Sequence, residues 1–326
     1  MSRKVLICQP IHESGVGVLA GFAVQVAPQP DEATLLPLLR GVEGAIVRTA
    51  PFTRALMAAA PELKVIARHG VGVDNVDVAA ATELGILVCN TPHANALSVA
   101  EHVLVALGAL AKRVRAMDRG TRENRWEIRN EYRAFDLQGK VLGLVGLGKI
   151  GTLVARKARA AFDLEIVGYD PYLAPERAAA FDFPLAATLD EVLARADFVS
   201  LHTPLTPQTR GLINGPRLRQ MKPTAFLVNF SRGEVVVEAD LVAALESGVI
   251  AGAALDVFDP EPPPADNPLF ARDDVLLSPH SAALTKECVI RMATGAAEAV
   301  RDVLSGVWPA YVVNRDVKPR ADLRPR

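Results

Sequence analysis

Short, largely β-branched apolar runs alternate along this chain with longer Ala- and Leu-rich stretches. The first series of runs comprises Lys4 to Ile7, Gly44 to Val47, Leu63 to Ala67 and Ile86 to Val88. The second comprises Lys140 to Val145, Glu165 to Tyr169, Phe198 to Leu201, Ala225 to Asn229, Ala251 to Leu255 and Val275 to Leu277. Runs this short and this continuously apolar suit strands buried on both faces, and the helical stretches between them suit crossover connections. The pattern predicts an α/β protein of two doubly wound, parallel-sheet (Rossmann-like) units.

Between the two series, Val99, Val103, Ala106, Leu107 and Leu110 recur at helical spacing and predict one long helix from Ser98 to Arg119 linking the units. A polar stretch containing Trp126 runs on to Arg133. Thr285 to Leu304 is again helical, and too little chain follows it to make a domain, so this part is expected to pack back on the first unit. The expected division is a discontinuous unit of residues 1–98 plus 285–326 and a continuous one of residues 99–284. The basic tail from Arg315 to Arg326, broken by Pro319 and Pro325, is expected to fray.

Composition narrows the function classes. A length of 326 residues, half of them hydrophobic, is enough to fill two cores. Lys plus Arg number 36 against 37 Asp plus Glu, so no overall field draws in nucleic acid or an anionic membrane, and a small-molecule partner is expected. Cys8, Cys89 and Cys288 are far apart and make no metal-ligand spacing, so they read as buried thiols of a reducing compartment and no metal is expected. The apolar start is broken at Gln9 and Pro10 before a signal-peptide core is complete, and no stretch is long enough to span a bilayer. The expected location is cytoplasmic.

The run from Val141 to Val145 leads into Gly146-Leu147-Gly148-Lys149-Ile150-Gly151 and then a helical stretch from Thr152 to Ala161. In this strand-to-helix context Gly146 permits the tight turn, Gly148 lets a pyrophosphate approach the backbone, and Gly151 lets helix and strand pack closely. The helix N-terminus meanwhile offers N–H groups and a positive dipole. Asp170 stands 19 positions after Gly151 at the end of a strand, where a carboxylate accepts hydrogen bonds from an adenosine ribose and repels a 2′-phosphate. NAD is therefore expected over NADP. A glycine triplet also serves ordinary turns, and Asp170 also suits the start of an Asp-Pro turn.

Hydride exchange with a 2-hydroxy or 2-keto acid needs a cation for the carboxylate and carbonyl, and a general acid/base for the hydroxyl proton. Arg232, in Asn229-Phe230-Ser231-Arg232-Gly233 just past a strand end, has the planar fork that holds a carboxylate, although a surface arginine reads the same locally. Glu261 and His280 follow the next two strands and are expected near one edge of the sheet. A carboxylate beside His280 would fix its tautomer and favour the protonated ring.

Together these segments resemble the D-isomer-specific 2-hydroxyacid dehydrogenase family, and its phosphoglycerate dehydrogenase branch in particular. The likeness runs from Val5 to Asn314 and includes Arg68-His69-Gly70-Val71-Gly72-Val73-Asp74-Asn75-Val76-Asp77, Asn90-Thr91-Pro92 with Asn95, Ser98 and Glu101, and His202-Thr203-Pro204. The resemblance implies that Arg232, Glu261 and His280 are catalytic. It also implies that Gly146, Gly148, Lys149, Ile150 and Gly151 meet the pyrophosphate, Asp170 the ribose, Thr203 the adenosine, Phe230 and Ser231 the nicotinamide, and Asp256 its carboxamide. The loop of His69, Gly70, Val71 and Gly72 is implied to bind the substrate carboxylate, and Arg48 to hold a substrate phosphate with help from Arg68. It further implies a homodimer formed through the helix near Ser98, a substrate domain at 1–98 plus 285–326, an NAD-binding domain at 99–284, and an active site in the cleft between them.

The chain departs from the family pattern in carrying Ser281-Ala282-Ala283 where glycines are common after the histidine, which is expected to crowd the nicotinamide pocket. No regulatory domain is expected after the closing helix. Glyoxylate or hydroxypyruvate reduction and a non-catalytic NAD-sensing, corepressor-like role share the framework. Glu261 argues against formate dehydrogenase, whose relatives have glutamine there.

Overall fold

The computed structural model describes residues 2–131 and 133–325. Met1, Tyr132 and Arg326, which fall in the first unit, the polar stretch and the tail of the reading above, lie outside the described residues. The chain divides into two compact units, one made of residues up to Asn95 with those from Ala283 onward, the other of Ala96–Ala282.

The first unit contains β1 (Lys4–Ile7), β2 (Ala23–Val26), β3 (Val42–Val47), β4 (Val65–Arg68) and β5 (Leu87–Cys89), all parallel, in the order β2-β1-β3-β4-β5. Alternate residues of each inner strand feed two separate cores. Leu6, Ala45, Ile66 and Val88 pack with Leu35, Leu56 and Ala80, which belong to the helices Glu32–Leu38, Arg54–Ala58 and Val78–Glu83. Val5, Ile46, Val65 and Leu87 pack on the other face with Ala296, Val300 and Val303 of the helix Lys286–Leu304. That helix therefore completes the sheet begun by the N-terminal strands, because without it one apolar face would be left in water.

Two features of this unit differ from the sequence expectation. β2 is an edge strand that is mostly exposed, so the apolar run that marks a buried strand is missing from it. The tail is docked rather than frayed, at least through Arg324. Asn314, only 4% exposed, accepts from Val88 N at 2.8 Å and donates to Ile86 O at 2.9 Å and Thr82 Oγ1 at 3.0 Å. Val317, Ala321 and Leu323 then join the core, and Arg320 N reaches Gly85 O. Basic residues and prolines hide these few anchors in the sequence.

The second unit contains β6 (Val141–Val145), β7 (Glu165–Tyr169), β8 (Phe198–Leu201), β9 (Phe226–Asn229), β10 (Gly252–Leu255) and β11 (Val275–Leu277), in the order β11-β10-β9-β8-β6-β7. A single parallel bridge from Gly168 to Leu185 adds a rudimentary strand outside β7. The strand order reverses between β6 and β8, so their C-terminal ends flank the crevice where open α/β sheets bind ligands. The single long helix expected from Ser98 to Arg119 is two helices, Ala96–Ala111 and Val114–Arg122. The break falls at Arg113, whose backbone is left-handed at φ 51°, and a 3₁₀ turn, Trp126–Glu131, follows. Apolar spacing does not reveal the break, because Val114 continues the apolar series of Leu107 and Leu110 in the sequence although it is 52% exposed.

Candidate active site

The phosphate turn is built by the three glycines in three different ways. Gly146 has φ 96°, and a β-carbon on it would lie 2.7 Å from the His202 carbonyl oxygen. A β-carbon on Gly151 would lie 2.2 Å from Gly146 O, so the helix Lys149–Phe162 can approach β6 only with hydrogen at that position. A β-carbon on Gly148 would meet nothing within 4 Å. Gly148 is also the N-cap of that helix and supplies no side-chain cap, which leaves first-turn N–H groups for an anion.

Asp170 ends β7 as the sequence suggests, and its carboxylate accepts from Leu147 N and from Tyr172 N, each at 3.0 Å. It thus fixes the turn while keeping acceptor capacity for a ribose hydroxyl. Arg177, which the sequence reading did not single out, donates to Leu147 O at 3.0 Å from the short helix Pro175–Ala178. Thr203, just past β8, has a buried Oγ1 with no protein partner. An open glycine, an uncapped helix start and an orphaned hydroxyl around one crevice fit a dinucleotide.

At the end of β9, Asn229 is buried and organises the following loop. Its amide accepts from Ser231 N and Ser231 Oγ and donates to Arg232 O. Arg232 itself donates to Ser231 O at 2.8 Å. The next residue, Gly233, presses so closely on Phe258 that a β-carbon would lie 2.0 Å from the Phe258 carbonyl oxygen. This contact sets the Arg232 loop against the segment that carries Glu261.

Glu261 and His280 meet, with Nδ1 of the imidazole 2.8 Å from Oε2 and Glu261 Oε1 accepting from Phe258 N at 3.0 Å. Burial alone would raise the Glu261 carboxyl, but the hydrogen bonds from His280 and Phe258, and then the charges of His280 and Arg232, outweigh it and hold the group below its usual range. Glu261 is therefore an ionised acceptor at neutral pH. The ring nitrogen left over on His280 is Nε2, and the side chain is 41% exposed. Asp256, implied by the resemblance to meet the nicotinamide, is almost wholly buried, and its carboxylate accepts from Ser278, Ser281 and Ala282.

In the first unit the loop after β4 is pinned from several sides. Thr91 holds Gly70 through its hydroxyl, at 3.1 Å from N and 3.0 Å from O, and Asn90 donates to Val71 O at 2.8 Å. Asn75 donates to Arg48 O and Ala50 O. These contacts account for the Asn75, Asn90 and Thr91 positions, and they leave Val71 and Gly72 partly exposed. Arg48 donates to Pro10 O at 2.9 Å, whereas the Arg68 guanidinium turns back onto the His69 carbonyl.

His69 is buried, and burial, followed by the charges of Arg48 and Arg68, lowers it to about 4. Burial lowers His202, whose Nε2 lies 3.0 Å from Ser200 Oγ, to about 4 as well. Below pH 6.5 the unfolded chain takes up protons that the folded chain refuses, so this stability is complete above pH 6.5 and lost progressively down to about pH 4. Moving from pH 7.5 to 5 should therefore cost about 2 kcal/mol per histidine, read from urea midpoints. A His202→Gln variant should lose about half of that dependence. An unchanged slope in the variant would contradict the assignment. Cys8 and Cys89 are free and buried, with burial pushing each thiol up to about 12, so neither is a reactive nucleophile.

Known proteins resemble this chain in sequence and in fold. Residues 104–282 match the family model for D-isomer specific 2-hydroxyacid dehydrogenase, NAD binding domain. D-3-phosphoglycerate dehydrogenase of Methanocaldococcus jannaschii is 40% identical over 322 residues, which is 98% of this chain and 61% of that protein. The Mycobacterium tuberculosis enzyme of the same name is 43% identical over 329 residues, with the same coverage. This chain thus spans about three fifths of the length of these curated relatives. A solved Thermus thermophilus protein superposes with a TM-score of 0.88 at 37% identity, covering 95% of this chain and 99% of its own. NADPH-dependent glyoxylate/hydroxypyruvate reductase of Sinorhizobium meliloti, in complex with NADP and malonate, gives 0.86 at 29% identity, covering 98% and 99%. The chain belongs to the D-isomer specific 2-hydroxyacid dehydrogenase family.

Proposed function

We propose that this protein is an NAD-dependent D-2-hydroxyacid dehydrogenase, similar to phosphoglycerate dehydrogenase, acting on a small 2-hydroxy or 2-keto acid. The observation that carries the reading is the His280–Glu261 pair at 2.8 Å, with the Arg232 charge close enough to act on the same carboxylate. NADH, when bound, supplies the hydride that reaches C2 of the keto acid. Arg232 holds the substrate carboxylate and polarises the carbonyl, and His280 delivers a proton from Nε2 to the carbonyl oxygen as charge develops there. Glu261 accepts from Nδ1, keeping the ring oriented and stabilising its protonated form. In the oxidation direction the same groups run in reverse.

On this reading Ala96–Ala282 is the cofactor domain, with Gly146, Gly148, Lys149, Ile150 and Gly151 at the pyrophosphate, Thr203 at the adenosine, and Phe230 and Ser231 at the nicotinamide. The Asp170 carboxylate would meet the ribose and would repel a 2′-phosphate, which favours NAD. The other unit supplies the substrate loop, in which backbone N–H groups of His69 to Gly72 bind the carboxylate. Its Arg48 is the candidate for a phosphate on the substrate. A homodimer is supported by exposed apolar residues on the broken helix and the turn after it, with Val105 69%, Val114 52% and Trp126 65% exposed. Free buried thiols suit the cytoplasm. Glyoxylate or hydroxypyruvate reduction is the second reading, and it uses the same three catalytic residues without Arg48.

Steady-state kinetics on the wild type and Arg48→Ala, with 3-phosphohydroxypyruvate, hydroxypyruvate and glyoxylate, separate the two readings. The phosphorylated substrate should lose binding selectively, with KM raised about 10-fold or more and the other two keto acids little affected. An unchanged KM for the phosphorylated acid would remove Arg48 from substrate binding and favour the smaller acids.

A further inference from the structure

His280 sits at φ 49°, a left-handed backbone that a residue with a β-carbon adopts only when its surroundings impose it. Most of the bonds that hold it come from Asp256, beside a local bond from His280 N to Ser278 O at 3.1 Å and the contact of the imidazole with Glu261. The Asp256 carbonyl oxygen accepts from His280 N at 2.7 Å. On its carboxylate, Oδ1 accepts from Ser278 Oγ at 2.5 Å and Ser281 N at 2.8 Å, while Oδ2 accepts from Ala282 N at 2.9 Å. The turn from Ser278 to Ala282 is therefore wrapped around one carboxylate that is only 1% exposed. Only a group that accepts on both oxygens serves here, because an amide would set its own N–H groups against a backbone N–H.

Ser278 extends the arrangement. Its hydroxyl proton is committed to Asp256, so its oxygen is left to accept from His102 Nε2 at 3.4 Å. His102 comes from the helix Ala96–Ala111 and also packs edge-on against Phe230, with ring centroids 5.0 Å apart. Phe230 opens the loop that carries Arg232. One imidazole thus touches both loops of the proposed chemistry, and it does so outside the His280–Glu261 pair.

We propose that Asp256, backed by Ser278 and His102, is a positioning residue that holds the His280 turn in its left-handed form, and that this is its main contribution to catalysis. The inference deepens the reading of His280 as acid/base and rests on it.

The test compares wild type, Ser278→Ala, Ser278→Thr, Asp256→Asn and His280→Ala by kcat at saturating NADH, by NADH Kd from fluorescence quenching, and by amide hydrogen exchange of the peptide covering Ser278 to Ala282. Ser278→Ala should lower kcat about 10-fold and Asp256→Asn about 100-fold, with NADH Kd within about 3-fold of wild type and faster exchange in the turn. Ser278→Thr, which keeps the hydroxyl, should restore most of the rate. The proposal is overturned if Asp256→Asn weakens NADH binding more than about 10-fold while kcat at saturation is kept, since Asp256 would then act on the cofactor. It is equally overturned if Ser278→Ala matches wild type in both kcat and exchange, a result available even should Asp256→Asn not fold. Full activity in His280→Ala would instead remove the proposed acid/base, while the exchange data would still report on the Asp256 turn.

Discussion

His280→Ala is expected to lower kcat for keto-acid reduction by about 1,000-fold while leaving NADH Kd within about 3-fold of wild type. The variant removes the proton donor from a position where Nδ1 is already committed to Glu261, and it touches none of the glycine turn. Glu261→Gln should cost less, about 10- to 100-fold, because the amide still reaches Nδ1 but no longer favours the charged ring. It should also move the pH profile. The Glu261 carboxylate is held below its ordinary range, so its support of His280 is lost as pH falls through the lowered value. Wild type should keep its oriented pair down to the region below pH 4.5. A His280→Ala enzyme with near-normal kcat would show that another group delivers the proton.

The second large effect separates cofactor binding from folding within one turn. Gly148→Ala places its methyl where nothing lies within 4 Å, at an ordinary φ of −70°, so the fold should lose less than about 1 kcal/mol. The same methyl projects into the space from which a pyrophosphate would approach, and NADH Kd should rise about 10- to 100-fold. Gly151→Ala behaves differently, because its methyl would stand 2.2 Å from Gly146 O and must push the helix off β6. Here stability itself should fall, by about 3 kcal/mol, read from a urea midpoint, with NADH affinity lost as a consequence. If Gly148→Ala bound NADH as wild type does, the phosphate assignment of this turn would be wrong.

What the sequence made legible follows from how local each signal is. β7, β8 and β11 lie where short apolar runs put them, and the glycine turn is legible because its spacing and its flanking strand and helix are contiguous. Glu261 and His280 come close because they follow neighbouring strands β10 and β11, which topology alone brings together. The rest depends on partners far along the chain. The His102 contact to Ser278 spans 176 residues, and the Asn314 contact to Val88 spans 226. Neither leaves a local pattern. Arg177 was hidden for another reason, since a lone arginine in a short polar helix reads as solvated until its guanidinium is seen on Leu147 O. The helix break at Arg113 is a backbone event with no glycine or proline to announce it.

Hydride transfer between the nicotinamide and C2 of a keto acid is the defining step of the proposed reaction, and deuterium tracks it directly. The protein is incubated with NADH deuterated at C4, on the transferred face, and hydroxypyruvate, 3-phosphohydroxypyruvate or glyoxylate, and the product is examined by NMR. Deuterium at C2 of the D-hydroxy acid, absent when His280→Ala replaces wild type over the same interval, is the predicted result. Loss of NADH without deuterium in the product, or no turnover with any of the three acids despite tight NADH binding, would contradict it.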